Sequence, residues 1–394
     1  MIVLSPHAWA ARTLAAGGNR KRLVTVFLRG AVDGLNVVAP HGDPAYYDAR
    51  PTIAIGRSAS MMPNLDGFFG LHPALAPMMD PWRDGTLAFV QACGSPDPTR
   101  SHFDAQDYME SGTPGVKSTP DGWMNRALDA FPGVHPATAA VSLGPVVPRI
   151  MSGKMAVANI ETGRAAEQPT PMDRPIVEQV FDRLYTGKDP LSHAYQEGRA
   201  ARQKLFTEIA DDMRVANAGA PSPIGFSSDT DRLARLIARD SSIRLAFMSL
   251  GGWDTHVNEG SSNGQLAGHL RGLGQGLAGF VRALGPAYSD TVILVISEFG
   301  RTVRENGNGG TDHGHGNVMW VMGGSVRGRK VYGRWPGLET SDLYEERDLP
   351  VTTDFREVAA TVLRSHLGLD DARVGRVFPN LPPPSGNVDG LIRV

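Results

Sequence analysis

The sequence predicts an α/β fold in which helices layer around a mostly parallel β-sheet. Three observations carry this. Short, continuously apolar runs recur along the chain, helical periodicity occupies segments between them, and the 41% hydrophobic and 20% charged content is that of an ordinary globular protein. The runs are Leu23 to Leu28, Leu87 to Ala92, Ala137 to Leu143, Met155 to Ile160, Arg244 to Leu250, Thr291 to Ile296 and Val318 to Met322. Their length and unbroken apolarity suit strands covered on both faces. Asp231 to Ile237, Leu266 to Leu284 and Val358 to Leu367 place apolar residues at helical spacing.

The ends of the chain read differently. Met1 to Ala16 holds a short apolar start and Ala8-Trp9-Ala10, a small-x-small pattern like the end of a signal peptide, followed by polar Gly17 to Arg22. It reads either as the remnant of a longer export signal or as a loose tail, so 1–21 is set apart. The folded domain is expected over 22–381, with a helical insertion or cap near 176–215, where Arg, Glu, Gln and Ala recur without an apolar run. Pro379 to Pro384 is expected to end the folded part, leaving 382–394 as a tail.

Composition excludes several classes. A formal charge of −2 and a pI near 6.6 provide no basic field for nucleic acid. No apolar stretch approaches the roughly 20 residues that span a bilayer. Cys93 is the only cysteine, so no intrachain disulfide forms, and its apolar surroundings read as a small core residue.

In parallel sheets the functional groups gather beyond the carboxyl ends of strands. The residues there are rich in metal-ligand types: Asp33 after the first run, Asp254 and His256 after Leu250, Glu298 after Ile296, then Asp312, His313 and His315 in a Gly-flanked loop. Two imidazoles and a carboxylate in that loop form a chelating surface for a borderline cation such as zinc. Each has an ordinary alternative. Asp33-Gly34 is also a turn, His256 a packed histidine, Glu298 an ion-pair partner of Arg301 or Arg304, and the loop a solvent loop. Ser101 opens a helix after a Pro-containing loop, where it reads as an N-cap, a nucleophile, or both, with Arg100 and His102 alongside to hold an anion or receive a proton.

The segments Phe27 to Asn36, Arg100 to Glu110, Ser297 to Thr302 and Gly310 to Gly316 resemble the bacterial family of domain of unknown function 1501, related to the alkaline phosphatase and sulfatase superfamily. The resemblance covers nearly the whole chain. It implies an alkaline-phosphatase-like three-layer α/β/α sandwich and a metal-dependent hydrolase of phosphate or sulfate esters. Ser101 would be the nucleophile with Arg100 and His102 beside it. Arg29, Asn36 and Arg301 would bind the anion. Asp33, Asp254, His256, Glu298, Asp312, His313 and His315 would hold one or two divalent ions, zinc first, with manganese, magnesium or calcium as alternatives. Family members usually carry a twin-arginine export signal; this chain lacks the arginine pair, and the resemblance implies a periplasmic or secreted protein and an in-frame signal upstream of Met1. Phe299 departs from the superfamily pattern, standing where a histidine ligand is expected. A second metal site is then depleted, supplied by Asp312 or His313, or absent. The rival expectation is an exported, metal-stabilised, non-catalytic binding or assembly protein whose partner is encoded nearby. A third is transfer or isomerisation of a phosphorylated group.

Overall fold

Continuous burial is what turns the apolar runs into strands: every residue of Arg22–Leu28 and Thr291–Ser297 is buried, as central strands covered on both faces require. The computed structural model describes residues 2–3, 21–57, 62–133, 135–160 and 216–393. The expected helical cap near 176–215 lies outside them, as does most of Met1 to Ala16.

Twelve strands are present among the described residues: β1 (Ile2–Val3), β2 (Arg22–Leu28), β3 (Val38–Ala39), β4 (Gly70–Leu71), β5 (Leu87–Gly94), β6 (Ala140–Leu143), β7 (Ala158–Ile160), β8 (Leu245–Leu250), β9 (Thr291–Ser297), β10 (Asn317–Gly323), β11 (Lys330–Tyr332) and β12 (Thr353–Asp354). The helices are α1 (Gly34–Val37), α2 (Pro44–Ala49), α3 (Met79–Arg83), α4 (His102–Ser111), α5 (Trp123–Ala130), α6 (Phe226–Arg239), α7 (Gln265–Leu284), α8 (Phe355–Ser365) and α9 (Asp371–Val377). A ten-stranded sheet runs β1-β7-β6-β8-β2-β9-β10-β5-β11, with β12 also on β5. Its pairs are parallel except that β10 is antiparallel to both β9 and β5. That reversal has a use. The 298–316 connection leaves the carboxyl end of β9 and re-enters the sheet at the same end, so its whole length stays beside the other strand ends.

Alternate residues of the strands feed two separate cores. Val24, Val26 and Leu28 pack with Leu233 of α6 and with Leu266, Leu270 and Leu273 of α7. Leu23 and Phe27 pack with Trp123 and Leu128 of α5, Val358 and Val362 of α8, and Val374 of α9. The molecule is thus a three-layer α/β/α arrangement around a mostly parallel sheet, as expected. Two details differ from expectation. Residues 137–139 form a 3-10 turn before β6, leaving the strand shorter than its apolar run. The proline-rich segment does not end the packed structure: Val388, Leu391 and Ile392 are buried, and Arg327 N–H donates to Leu391 O at 2.8 Å. Prolines bar regular hydrogen-bonded structure but not a return to the core. No helix among the described residues is long and apolar enough to cross a membrane.

Candidate metal centre

Segments after β8, after β9 and before β10 and one helix start meet at the carboxyl edge of the sheet. Asp254 and His256 follow β8, Glu298 follows β9, His313 lies in the connection to β10, and His102 is the first residue of α4. Close backbone approach demands glycine after β2 and after β9. Gly30, at φ +112°, would place a Cβ 2.9 Å from the backbone nitrogen of Asp254, and at Gly300 a Cβ would fall 1.8 Å from the carbonyl oxygen of Gly316.

Three imidazoles and one carboxylate converge. His313 Nε2 lies 2.9 Å from His102 Nε2 and 3.0 Å from His256 Nε2. Asp254 Oδ1 is 3.0 Å from His256 Nε2 and 3.4 Å from His313 Nε2, and its Oδ2 is 3.6 Å from His102 Nε2. The other nitrogen of each ring faces a group that accepts. His102 Nδ1 donates to Glu298 Oε1 (2.8 Å), His256 Nδ1 to Asp312 Oδ1 (3.2 Å), and His313 Nδ1 to the carbonyl of Arg100 (3.0 Å). A carbonyl or carboxylate cannot donate, so each neutral ring carries its proton on Nδ1 and turns its Nε2 lone pair toward the common point. Three lone pairs and a carboxylate around one point repel unless a proton or cation sits among them.

The residues fit a divalent ion. Three nitrogens and one oxygen form a donor set suited to zinc, whose tetrahedral bonds of about 2.0–2.1 Å separate ligands by about 3.3 Å, against the 2.9 to 3.6 Å of the contacts given above. Asp254 Oδ2 is buried without a hydrogen-bond partner. His102, Asp254 and His313 have ligand atoms within 4.8 Å of one another.

The charges behind this group are fixed. Burial opposes ionisation of Asp254, but the facing imidazoles of His102, His256 and His313, when a proton sits among them, together with the charge of Arg301 hold its pKa far below the usual carboxylate range. Arg301 Nη1 donates to Asp254 Oδ1 at 2.7 Å. For His102, burial disfavours the charged ring, yet the carboxylates of Asp254 and Glu298 on its two sides outweigh it and raise the pKa to about 9, so that this ring takes the proton when no cation shares the group. Burial keeps His313 low, favouring its neutral form. Glu298 is held in its charged form, burial notwithstanding, chiefly by its hydrogen bond from His102. Its Oε1 also accepts from Gly30 N–H (2.8 Å) and Gln106 Nε2 (2.9 Å).

Not every expected site residue joins the group. Glu298 and Asp312 stand one step behind it, each orienting a ring. Asp33 lies elsewhere, both oxygens bonded to Arg50, one at 3.0 Å. Asn36 donates to Ile53 O and Glu259 Oε1 and accepts from Tyr46. His315 stacks on Tyr344 with ring centroids 5.0 Å apart. Arg29 is held by Gln106 and Glu110, Arg301 is buried behind Asp254, and Arg100 is engaged by Asp348 and Glu345. Ser101 is exposed and caps α4, its Oγ accepting from Asp104 N–H at 3.5 Å. Phe299 is 2% exposed and packs against His102 and His313, centroids 4.9 and 5.2 Å away. Gln106, Arg50 and Glu259 are functional neighbours not expected from the sequence: Gln106 lies within the Arg100 to Glu110 segment, while nothing local marks the other two.

Comparisons with known proteins add the following. No curated protein matches the chain. Among solved structures it is similar to Ps i-CgsB in complex with k-i-k-neocarrahexaose, at 10% identity and TM-score 0.44 over 90% of this chain and 72% of that one. It is also similar to the C-terminal periplasmic domain of EcEptC from Escherichia coli in complex with Zn, at 11% identity and TM-score 0.43 over 93% and 88%. A third is a protein in the alkaline phosphatase superfamily from Vibrio parahaemolyticus, at 10% identity and TM-score 0.39 over 80% and 64%. A family model described as "Protein of unknown function (DUF1501)" matches residues 20–378, nearly the whole chain, and the protein therefore belongs to that family.

Proposed function

We propose that the protein is a hydrolase of phosphate or sulfate esters that uses one zinc ion and Ser101 as nucleophile. The observation that carries the metal is the convergence of three Nε2 atoms, each with its Nδ1 turned to an acceptor, on the carboxylate of Asp254. His102, Asp254, His256 and His313 would hold the ion, which when bound would act as a Lewis acid toward an ester oxygen.

Ser101 is bracketed by this group: the preceding carbonyl, of Arg100, accepts from His313, and the following side chain is His102. Its Oγ receives the Asp104 N–H at the start of a ten-residue helix, where the dipole favours a developing alkoxide and an incoming anion. Glu298, Asp312 and the Arg100 carbonyl hold the rings, and Arg301 holds Asp254. Arg50 supplies Asp33 with a fixed positive charge, which favours one ion over two. The reading includes export to the periplasm, with cytoplasmic recovery behind the native upstream sequence counting against it.

Phe299 favours a second reading, a metal-stabilised binding protein, because it fills the space beside His102 and His313 with an apolar ring. Metal analysis and two variants separate these. The hydrolase should carry one ion per chain. Ser101→Ala should keep it while losing most turnover of an aryl phosphate or aryl sulfate, and His313→Ala should lose metal and heat stability together. Equal turnover by Ser101→Ala and wild type would refute the nucleophile. Absence of turnover in the fully loaded protein would leave the binding reading.

A further inference from the structure

A cavity of about 360 Å³ opens at the carboxyl ends of β6 and β8 against α4. Its volume is within the range of small-molecule sites. Leu143, Val146 and Phe247 line it together with Phe103, the residue after His102. Phe103 and Val146 are 73% and 66% exposed, two of the few large apolar side chains turned to solvent among the described residues. Both belong to the cavity wall, where they offer apolar surface to a ligand.

The charges in the wall are spent on one another. Arg29 is held by Gln106 and Glu110, and Asp107 is paired with Arg149. Ser142 is the contrast: it lines the cavity, is 1% exposed, and its hydroxyl has no hydrogen-bond partner. A buried hydroxyl without a partner carries a desolvation cost that a bound polar group would remove. Gln106 joins the cavity to the metal centre, since it lines the wall and donates to Glu298, which orients His102.

We propose that this cavity binds the alcohol portion of the ester as an uncharged, ring-containing group, stacked on Phe103 and hydrogen-bonded at its far end to Ser142. The proposal rests on the hydrolase reading for the word ester, but the choice of a neutral ring follows from the wall alone. An apolar lining whose charges are already paired would desolvate an anionic group without repayment.

The test titrates the full-length, zinc-loaded protein with naphthol, a neutral ring alcohol, and with naphthoate, its charged counterpart, by calorimetry. Naphthol should bind saturably and at least about tenfold more tightly than naphthoate. Phe103→Ser and Val146→Asp, both at exposed positions, should each weaken naphthol by about tenfold while leaving metal content and melting temperature unchanged. Ser142→Ala should abolish the preference for a dihydroxynaphthalene over naphthol that the wild type shows. Absence of saturable binding at millimolar naphthol would overturn the proposal, as would equal affinity for naphthoate or unaltered binding in both exposed variants. If naphthol binds as described while the loaded protein cleaves no ester, the cavity and its ligand class stand and the hydrolase reading falls.

Discussion

Asp33→Asn separates two roles for the carboxylate that follows the first long strand. As a metal ligand its loss would empty the site. As the counter-ion of Arg50 its loss would leave a guanidinium uncompensated, with both side chains 0% exposed. Removing one partner of a buried pair costs about 3–5 kcal/mol. Two features place this case at the low end. Arg50 retains bonds from Nε to Val303 O and from Nη2 to Thr302 O, each 2.9 Å. Glu259 also lies in the same pocket. Its pKa is pushed well above the carboxylate range by burial first and then by the charge of Asp33. With Asp33 gone, Glu259 can ionise in its place, so the cost should be about 3 kcal/mol. At about 2.1 cal/mol/K per residue, a chain of 394 residues unfolds with an entropy of about 0.8 kcal/mol/K, which makes the expected drop in melting temperature about 4 °C. The double variant Asp33→Asn, Glu259→Gln removes the substitute charge and should approach about 5 kcal/mol and 6 °C. Thermal and urea unfolding give the stability, and elemental analysis gives metal per chain, expected to be unchanged. Loss of more than half the metal with a melting temperature shift under about 1 °C would refute the reasoning and return Asp33 to the ligands.

Two further perturbations probe the site and the scaffold. Glu298→Gln keeps an oxygen near His102 Nδ1 but removes the charge that polarises the ring, and metal affinity measured by chelator competition should fall about 10- to 100-fold; an affinity within twofold of wild type would contradict the orienting role. His72 and His366 are buried neutral rings. Nε2–H of His72 donates to Ser261 O and that of His366 to Arg22 O, and burial lowers each pKa to about 4. In the unfolded chain they take up protons near pH 6.5, so the unfolded state binds more protons between pH 6.5 and 4. Their contribution is complete above pH 6.5 and is lost as pH falls toward 4, by roughly 3 kcal/mol each at the limit. Urea unfolding of His366→Asn should therefore show a shallower loss of stability over that window than wild type, and parallel curves would show that His366 is not a source of it.

The sequence by itself determined the central strands and much of the chemistry at their ends. A strand buried on both faces is predominantly apolar, so Leu23 to Leu28 and Thr291 to Ile296 were visible as runs, and the polar groups after them were visible as ligand types. Short edge elements such as Lys330–Tyr332 were not, because an edge strand of three residues has only one paired side and little apolar pattern to reveal it. The division of labour among the polar groups belonged to tertiary structure alone. His102 and Glu298 are 196 positions apart, and nothing in either neighbourhood says that the carboxylate will stand behind the ring and turn its other nitrogen inward. Asp33 and Arg50 are only 17 positions apart, yet Arg50 sits beyond α2 in a segment without any site motif. Residue type limits what a side chain can donate or accept. Which partner it meets depends on how β2, β8, β9 and α4 are set side by side, and that placement decided that His102 and His256 meet His313 and Asp254 while Asp33 meets Arg50 and His315 meets Tyr344.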